Sequence, residues 1–375
     1  MTKRIPLATP TMNGSEMTYI NEAFATNWIS PLGPNVDNFE AEIVSYLKED
    51  VYAAALSSGT AAIHLAFKAV GVTKGDIVFC SDLTFAATCN PIIYENATPV
   101  FIDSEPDTWN MCPESLALAF KKYPNVKAVI VVNLYGTPAK LDIIAQMCQA
   151  QGVPLIEDAA ESLGATLHGR QTGLFGDIGI FSFNGNKIIT SSGGGMLITK
   201  SKAIAEKVRF WATQSRDAAR HYQHSELGYN YRMSNISAGI GRGQLTTLDE
   251  YVTRKTDIYN RYHLAFAGHP TLSMNPLLTN SIANHWLSAL LLSDDSKVNY
   301  LTILDELDKH NIEGRPIWKP MSLQPFYESY DLITAYGDKP VSHDIFSRGL
   351  CLPSDLKMTP DEQEKVSQVI LSLIS

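Results

Sequence analysis

Three short segments of this 375-residue chain carry residue types that could do chemistry together. Ser57-Ser58-Gly59-Thr60 follows an apolar run and opens a helical pattern. Backbone N–H groups and the dipole at such a helix start favour an anion, and glycine lets a phosphate come close. The same string also fits an ordinary N-cap with a tight turn. In Ile156-Glu157-Asp158-Ala159-Ala160-Glu161, Asp158 ends an apolar strand, where ligands bind in open α/β sheets. It could hold a protonated heterocyclic nitrogen, or simply cap a helix with Glu161 as its capping-box partner. Lys187 stands in Ser182-Phe183-Asn184-Gly185-Asn186-Lys187, past another apolar run and ahead of Gly193-Gly194-Gly195. A lysine held in a pocket can lose its proton and form a Schiff base; a solvated lysine in a hairpin turn is the alternative. The segment is not a P-loop, because Asn186 intervenes and Ile188 follows the lysine. A fourth segment, Gly228-Tyr229-Asn230-Tyr231-Arg232-Met233-Ser234, precedes a small-residue helix with Ala238, Gly239, Gly241 and Gly243. That helix is suited to packing tightly on another chain, or is a well-packed helix start. An anion nest, a strand-end aspartate and a loop lysine, in this order, are what a phosphorylated pyridine aldehyde requires. The phosphate would go to the nest, the ring nitrogen to Asp158 and the aldehyde to Lys187.

The elements that must position these groups alternate along the chain. Short apolar runs at 51–56, 77–79, 99–102, 128–133, 154–157, 178–183 and 196–198 read as strands buried on both faces of a mostly parallel sheet. Helical patterns at 61–70, 113–122 and 141–151 lie between them, and Gly71 and Gly152 stop two of them. This alternation predicts an α/β fold, with helices on both faces of the sheet. From about residue 245 the pattern changes. A long amphipathic helix spans 245–267, a strand-like stretch follows at 286–292, and helices are expected at 300–310 and 360–372. We therefore expect a large domain over 1–245 and a smaller α+β domain over 246–375. The first 20 or so residues fold back on one or the other.

Composition narrows the function. The chain is 45% apolar and 18% charged, which excludes bulk disorder. A net charge of −9 argues against non-specific binding to nucleic acid or to an anionic membrane, while leaving room for a local basic pocket. No stretch approaches the ~18 apolar residues of a membrane span, and MTKRIPLATPTM has no apolar core of a signal peptide. Five scattered cysteines without CxxC spacing indicate neither zinc nor disulfides, and fit a reduced, cytoplasmic compartment. No HExxH occurs among the nine histidines, so no metal site is expected, and His64 reads as a packed helix residue.

The strings SSGTAAIHLA, DLTFAATCNPI, FIDSEPDTWNM, VNLYGTPAKLDII, IEDAAESLGA, GDIGIFSFNGNKIITSSGGGM, LGYNYRMSNISAGIG, GRPIWKPMSLQPFY and GLCLPS resemble the DegT/DnrJ/EryC1/StrS family of pyridoxal-phosphate-dependent sugar aminotransferases, over nearly the whole chain. The resemblance implies the fold-type I aminotransferase architecture, pyridoxal 5'-phosphate as cofactor, and a homodimer with shared active sites. It makes Lys187 the Schiff-base lysine and Asp158 the partner of the pyridine nitrogen. Phe85 matches the ring-stacking position. Gly59, Thr60 and Ser182 match phosphate contacts, and Asn230 matches a residue reaching the phosphate of the neighbouring subunit. Glu161 falls beside the sugar, Trp28, Ile29 and Ser30 fall in a substrate-proximal loop, and Arg315 and Trp318 on the nucleotide side. Ser322 departs from the pattern, standing where many relatives have His. The implied reaction moves an amino group from L-glutamate to a nucleotide-linked keto sugar, in polysaccharide or glycan biosynthesis. GRPIWKPMSLQP looks most like enzymes acting on UDP-4-keto-6-deoxy-N-acetylglucosamine, the bacillosamine type; a dTDP-linked 3- or 4-keto-6-deoxyhexose is the rival. A dehydratase of the same fold resembles a sequence with His at the lysine position, and a non-catalytic regulator or binding protein one that has lost Lys187 or Asp158; both residues are present.

Overall fold

The computed structural model describes residues 4–374. Its main sheet has eight strands: β1 (Tyr52–Leu56), β2 (Ile77–Ser81), β3 (Thr98–Ile102), β4 (Ala128–Val132), β5 (Leu155–Asp158), β6 (Ile178–Ser182), β7 (Gly195–Thr199) and, far along the chain, β11 (Leu332–Ile333). They lie in the order β1-β7-β6-β5-β4-β2-β3-β11. Every pairing is parallel except those of β7, which runs antiparallel to both β1 and β6. β7 can reverse because only the loop carrying Lys187 separates it from β6. The seven strands anticipated from their apolar runs all form, and the fold is the α/β architecture expected of a fold-type I aminotransferase.

Helices cover both faces. The helix Gly59–Ala69 packs Ile63, Ala66 and Phe67 against one face, with Leu56, Ile130 and Ile156 in the same core. The helices Pro113–Lys122 and Leu141–Gln151 close the other face around Phe79, Val129 and Val131. Strand side chains alternate between faces, so near-continuous apolar strands are what two covered faces require.

A second, four-stranded antiparallel sheet follows: β8 (Leu272–Met274), β9 (Ser288–Leu292), β12 (Gly349–Leu352) and β10 (Arg315–Pro316), in that spatial order. It packs on the helices Leu248–Phe266, Tyr300–Lys309 and Pro360–Ile374 through Tyr262, Leu290, Leu307 and Ile370. Two excursions cross position 245. Ile5 pairs with Ile312 and joins this second core, and Leu332–Ile333 returns as the edge strand of the main sheet beside β3. Tyr327, just ahead of that strand, is buried in the main core.

The glycine-rich helix Asn235–Leu245 differs from one of the expectations. Its small-residue face is covered within the same chain. A Cβ on Gly241 would lie 2.6 Å from the Phe39 ring, one on Gly243 2.6 Å from the Glu16 amide, and one on Gly239 2.9 Å from Asn35. The helices Glu16–Ala25 and Pro34–Leu47 occupy the space expected for another chain.

Candidate active site

The parallel strands end on one edge of the sheet, and the residues after those ends converge there. A cavity of about 320 Å³ opens at this edge, lined by Gly59, Thr60, Phe85, Asp158, Glu161, Ser182, Lys187 and Trp318 among others. Eight of the residues singled out from the sequence therefore meet in one place, although Gly59 and Trp318 lie far apart in the chain.

Each is set by local chemistry. Ser58 caps the helix Gly59–Ala69, its hydroxyl accepting from the Ala61 amide at 3.0 Å. The first turn lies against Ser182, where a Cβ on Gly59 would sit 3.1 Å from the Ser182 Cβ, and its N–H groups have no partner within the helix. Gly195, on β7, runs directly beneath, and a Cβ there would lie 2.3 Å from the Ser58 carbonyl carbon. The third glycine of the run is thus required by the closeness of backbone to backbone.

Asp158 ends β5. One carboxylate oxygen accepts from the Thr88 hydroxyl at 2.7 Å and the other from the Ala160 amide at 3.1 Å. Burial pushes its pKa up, against the pull of these two bonds and of the Lys187 charge. A buried carboxylate in this condition is stabilised by a cation. Glu157, one residue earlier, points to the opposite face, as strand alternation requires. There it accepts from the Gly173 and Phe175 amides and from Asn133, a structural role. No helix starts after Asp158, so Glu161 is not a capping-box partner.

Glu161 instead faces the lysine. Its Oε1 lies 3.5 Å from Lys187 Nζ, and its Oε2 accepts from the Tyr135 amide at 2.7 Å. Burial raises its pKa to about 7, offset in part by the Lys187 charge and the Tyr135 bond. Lys187 is 12% exposed, so it is no solvated turn lysine. Its ammonium nitrogen also sits 4.0 Å from the centroid of the Trp286 ring.

Trp286, Tyr135 and Thr88 were not singled out from the sequence. Tyr135 is buried in the left-handed region (φ 54°), after β4, and its phenol oxygen accepts from the Trp318 amide at 3.0 Å. The dipeptide Tyr135-Gly136 after a strand end was the available signal; Trp286 offered none beyond its place at the start of a strand.

The remaining expected residues lie elsewhere. Arg315 is exposed and pairs with Glu313 at 2.8 Å, bordering a second cavity of about 550 Å³ that shares Phe85, Trp286 and Trp318 with the first. Phe85 is 56% exposed, its ring 5.3 Å from that of Trp318. Trp28, Ile29 and Ser30 are exposed, their loop tied down where Asn235 donates to the Trp28 carbonyl at 2.7 Å and to that of Ser30 at 3.1 Å. Asn230 is exposed, bridged to Thr213. None of Trp28, Ile29, Ser30, Asn230 and Arg315 lines the first cavity within the chain. Ser322 donates to buried Asp82 and sits 2.8 Å from His343 Nε2, so an imidazole from another helix stands beside it. His64 is packed, between Glu95 at 3.0 Å and the Tyr231 hydroxyl at 3.2 Å.

The residues fit a phosphorylated pyridine aldehyde. The backbone cradle at Gly59 and Gly195 has no room for side chains, the buried Asp158 carboxylate favours a cation, and the lysine amine is held at the cavity wall.

Comparison with known proteins agrees. Residues 10–371 match the model of the DegT/DnrJ/EryC1/StrS aminotransferase family. The chain is 50% identical to the putative pyridoxal phosphate-dependent aminotransferase EpsN of Bacillus subtilis, across 100% of this chain and 96% of that protein. It is 34% identical to GDP-perosamine synthase of Vibrio cholerae, across 98% of each. Among solved structures, a DegT DnrJ EryC1 StrS aminotransferase from Brucella abortus superposes with a TM-score of 0.88 at 27% identity, covering 96% of this chain and 95% of that one. Among the described residues, no helix is long and apolar enough to cross a membrane.

Proposed function

Because the chain belongs to the DegT/DnrJ/EryC1/StrS aminotransferase family, we propose that it moves an amino group from L-glutamate to a nucleotide-linked keto sugar, UDP-4-keto-6-deoxy-N-acetylglucosamine being the acceptor we favour. The observation that carries the reading is the placing of Lys187 and buried Asp158 on one cavity beside the helix start at Gly59. Pyridoxal phosphate supplies the electron sink for the carbanion at the amino donor's α-carbon.

The chain's residues do the rest. The first-turn amides of Gly59 and Thr60 and the Ser182 hydroxyl receive the phosphate. Asp158 keeps the pyridine nitrogen protonated, and its bonds to Thr88 and Ala160 fix the carboxylate for that contact. Phe85 flanks the ring. Lys187 would hold the cofactor covalently, and its free Nζ, tethered at the cavity wall, would be placed to take the proton from the donor's α-carbon. Glu161 and the aromatic wall at Trp318 face the incoming sugar, and Arg315, in the adjoining cavity, meets the nucleotide's negative charge. Asn230 completes the phosphate site of a second copy in a homodimer, which fits its exposure and its distance from the cavity of its own chain. Trp28, Ile29 and Ser30 form the substrate-proximal loop, with the Trp28 and Ile29 side chains exposed. Five free, buried cysteines suit a reducing cytoplasm.

A second reading of the acceptor has a specific basis: relatives at 34% identity are named GDP-perosamine synthases. The test is the visible spectrum of the holoenzyme. L-glutamate should bleach the band of the lysine-bound cofactor, and UDP-4-keto-6-deoxy-N-acetylglucosamine should restore it. Restoration by a GDP- or dTDP-linked keto sugar alone overturns the choice of acceptor, and no bleaching by glutamate overturns the choice of donor.

A further inference from the structure

We propose that Trp286 is a positioning residue for the catalytic lysine, gripping it at both ends and, with Glu161, forming the resting place of its free amine. The proposal rests on the reading that Lys187 carries the cofactor.

Trp286 comes from the part of the chain beyond the main sheet's first seven strands, just ahead of β9, yet it is 2% exposed against the cavity wall. Its ring face lies 4.0 Å from Lys187 Nζ. Its indole N–H donates to the carbonyl of Asn186, the residue before the lysine, at 2.6 Å. One side chain therefore fixes the backbone from which Lys187 springs and also the ammonium at its tip. An aromatic face attracts a cation, tryptophan's most strongly, and more so where water is excluded.

Trp286 is itself held from three further sides. Its amide donates to the Asn284 side chain at 2.9 Å. Its carbonyl accepts from Lys255 Nζ at 2.9 Å, inside the core. Its ring packs at 6.1 Å from Trp318. Asn284 in turn donates to the carbonyls of Glu161 and Leu163 at 2.8 and 2.9 Å, so the carboxylate and the indole are tied to one scaffold. With the ring face at 4.0 Å and Glu161 Oε1 at 3.5 Å, the amine is held between an aromatic face and a carboxylate at the cavity wall. During turnover the lysine must leave the cofactor, stay close and return. A site that holds the free amine keeps it beside the cofactor between its release and its return.

The test reads how firmly the lysine amine is held in the cofactor-free protein. Cofactor-free wild type, Trp286→Leu, Trp286→Phe and Glu161→Gln are pulsed with acetic anhydride at fixed pH, and acetylation of Lys187 is read by peptide mass spectrometry. An amine held between the ring and the carboxylate reacts slowly, and a released one reacts fast. Trp286→Leu should label about tenfold faster than wild type, and Glu161→Gln several-fold faster. Trp286→Phe keeps a weaker ring and loses the N–H, so it should fall between, and it decides the matter if the leucine variant does not fold. Equal labelling of wild type, Trp286→Phe and Glu161→Gln overturns the proposal. Borohydride trapping of the holo forms separates the two readings. A cofactor adduct on another residue defeats the role of Lys187, whereas an adduct on Lys187 with unchanged labelling rates defeats only the role of Trp286.

Discussion

Glu161→Gln gives the sharpest physical prediction. The carboxyl is buried, and its pKa is raised from 4.5 to about 7, chiefly by loss of solvation. Between these values the native chain holds a proton that the unfolded chain has released. The slope of stability against pH follows the difference in bound protons, so wild type loses stability as pH rises through this window. The loss is absent below about pH 4.5 and complete above about pH 7. At 1.36 kcal/mol per unit, the shift corresponds to about 3 kcal/mol. Other buried acids with raised values, Asp82, Glu157 and Asp158 among them, titrate in both proteins. The difference between variant and wild type therefore isolates position 161. Glutamine keeps an oxygen for the Tyr135 amide and has no charge to bury. Urea unfolding of both cofactor-free proteins, at half-unit steps from pH 4.5 to 8, should show the variant gaining about 3 kcal/mol on wild type across the range. Curves that run parallel, or a gap that closes with rising pH, refute the assignment of a proton-holding carboxyl at Glu161.

Other consequences follow from named contacts. Gly195→Ala places a Cβ 2.3 Å from the Ser58 carbonyl carbon; it should cost about 1–3 kcal/mol in thermal unfolding and weaken cofactor binding measured by absorbance titration. If Asn230 reaches the phosphate of a neighbouring subunit as proposed, Asn230→Ala removes a charge-assisted bond and the cofactor's dissociation constant should rise about tenfold or more; an unchanged constant rejects the shared site. Glu40 accepts from the Ala55 amide and pairs with Arg232 at 2.5 Å and Arg209 at 2.7 Å. Glu40→Ala strands the buried Arg232 guanidinium and should cost about 3–5 kcal/mol, read by calorimetry.

How far the sequence could be read follows from the range of each interaction. The helices Pro113–Lys122 and Leu141–Gln151 form over the residues their periodicity marks, because proline at the first and glycine after the second act locally. The strands ending at Leu56, Asp158 and Ser182 were legible as apolar runs, and with them the edge on which the site is built. The edge strand Leu332–Ile333 was not: two residues give no periodicity, and their pairing with β3 is made across more than two hundred positions. Nor was Trp286, whose hold on Lys187 exists only after a second sheet has folded against the first. The resemblance supplied roles for Asn230 and Trp28 that one chain cannot display. The glycine helix was open to two readings, since a close-packed face reads the same whether its partner is another chain or, as here, Phe39 and Glu16 of its own.

The central claim is that Lys187 carries pyridoxal phosphate and gives it up to the amino donor. Borohydride reduction of the holoenzyme followed by peptide mapping tests it directly, with and without prior exposure to L-glutamate. The account requires one cofactor adduct, on Lys187, that disappears when glutamate precedes the reductant. An adduct on any other lysine, or one on Lys187 that glutamate leaves intact, would contradict it.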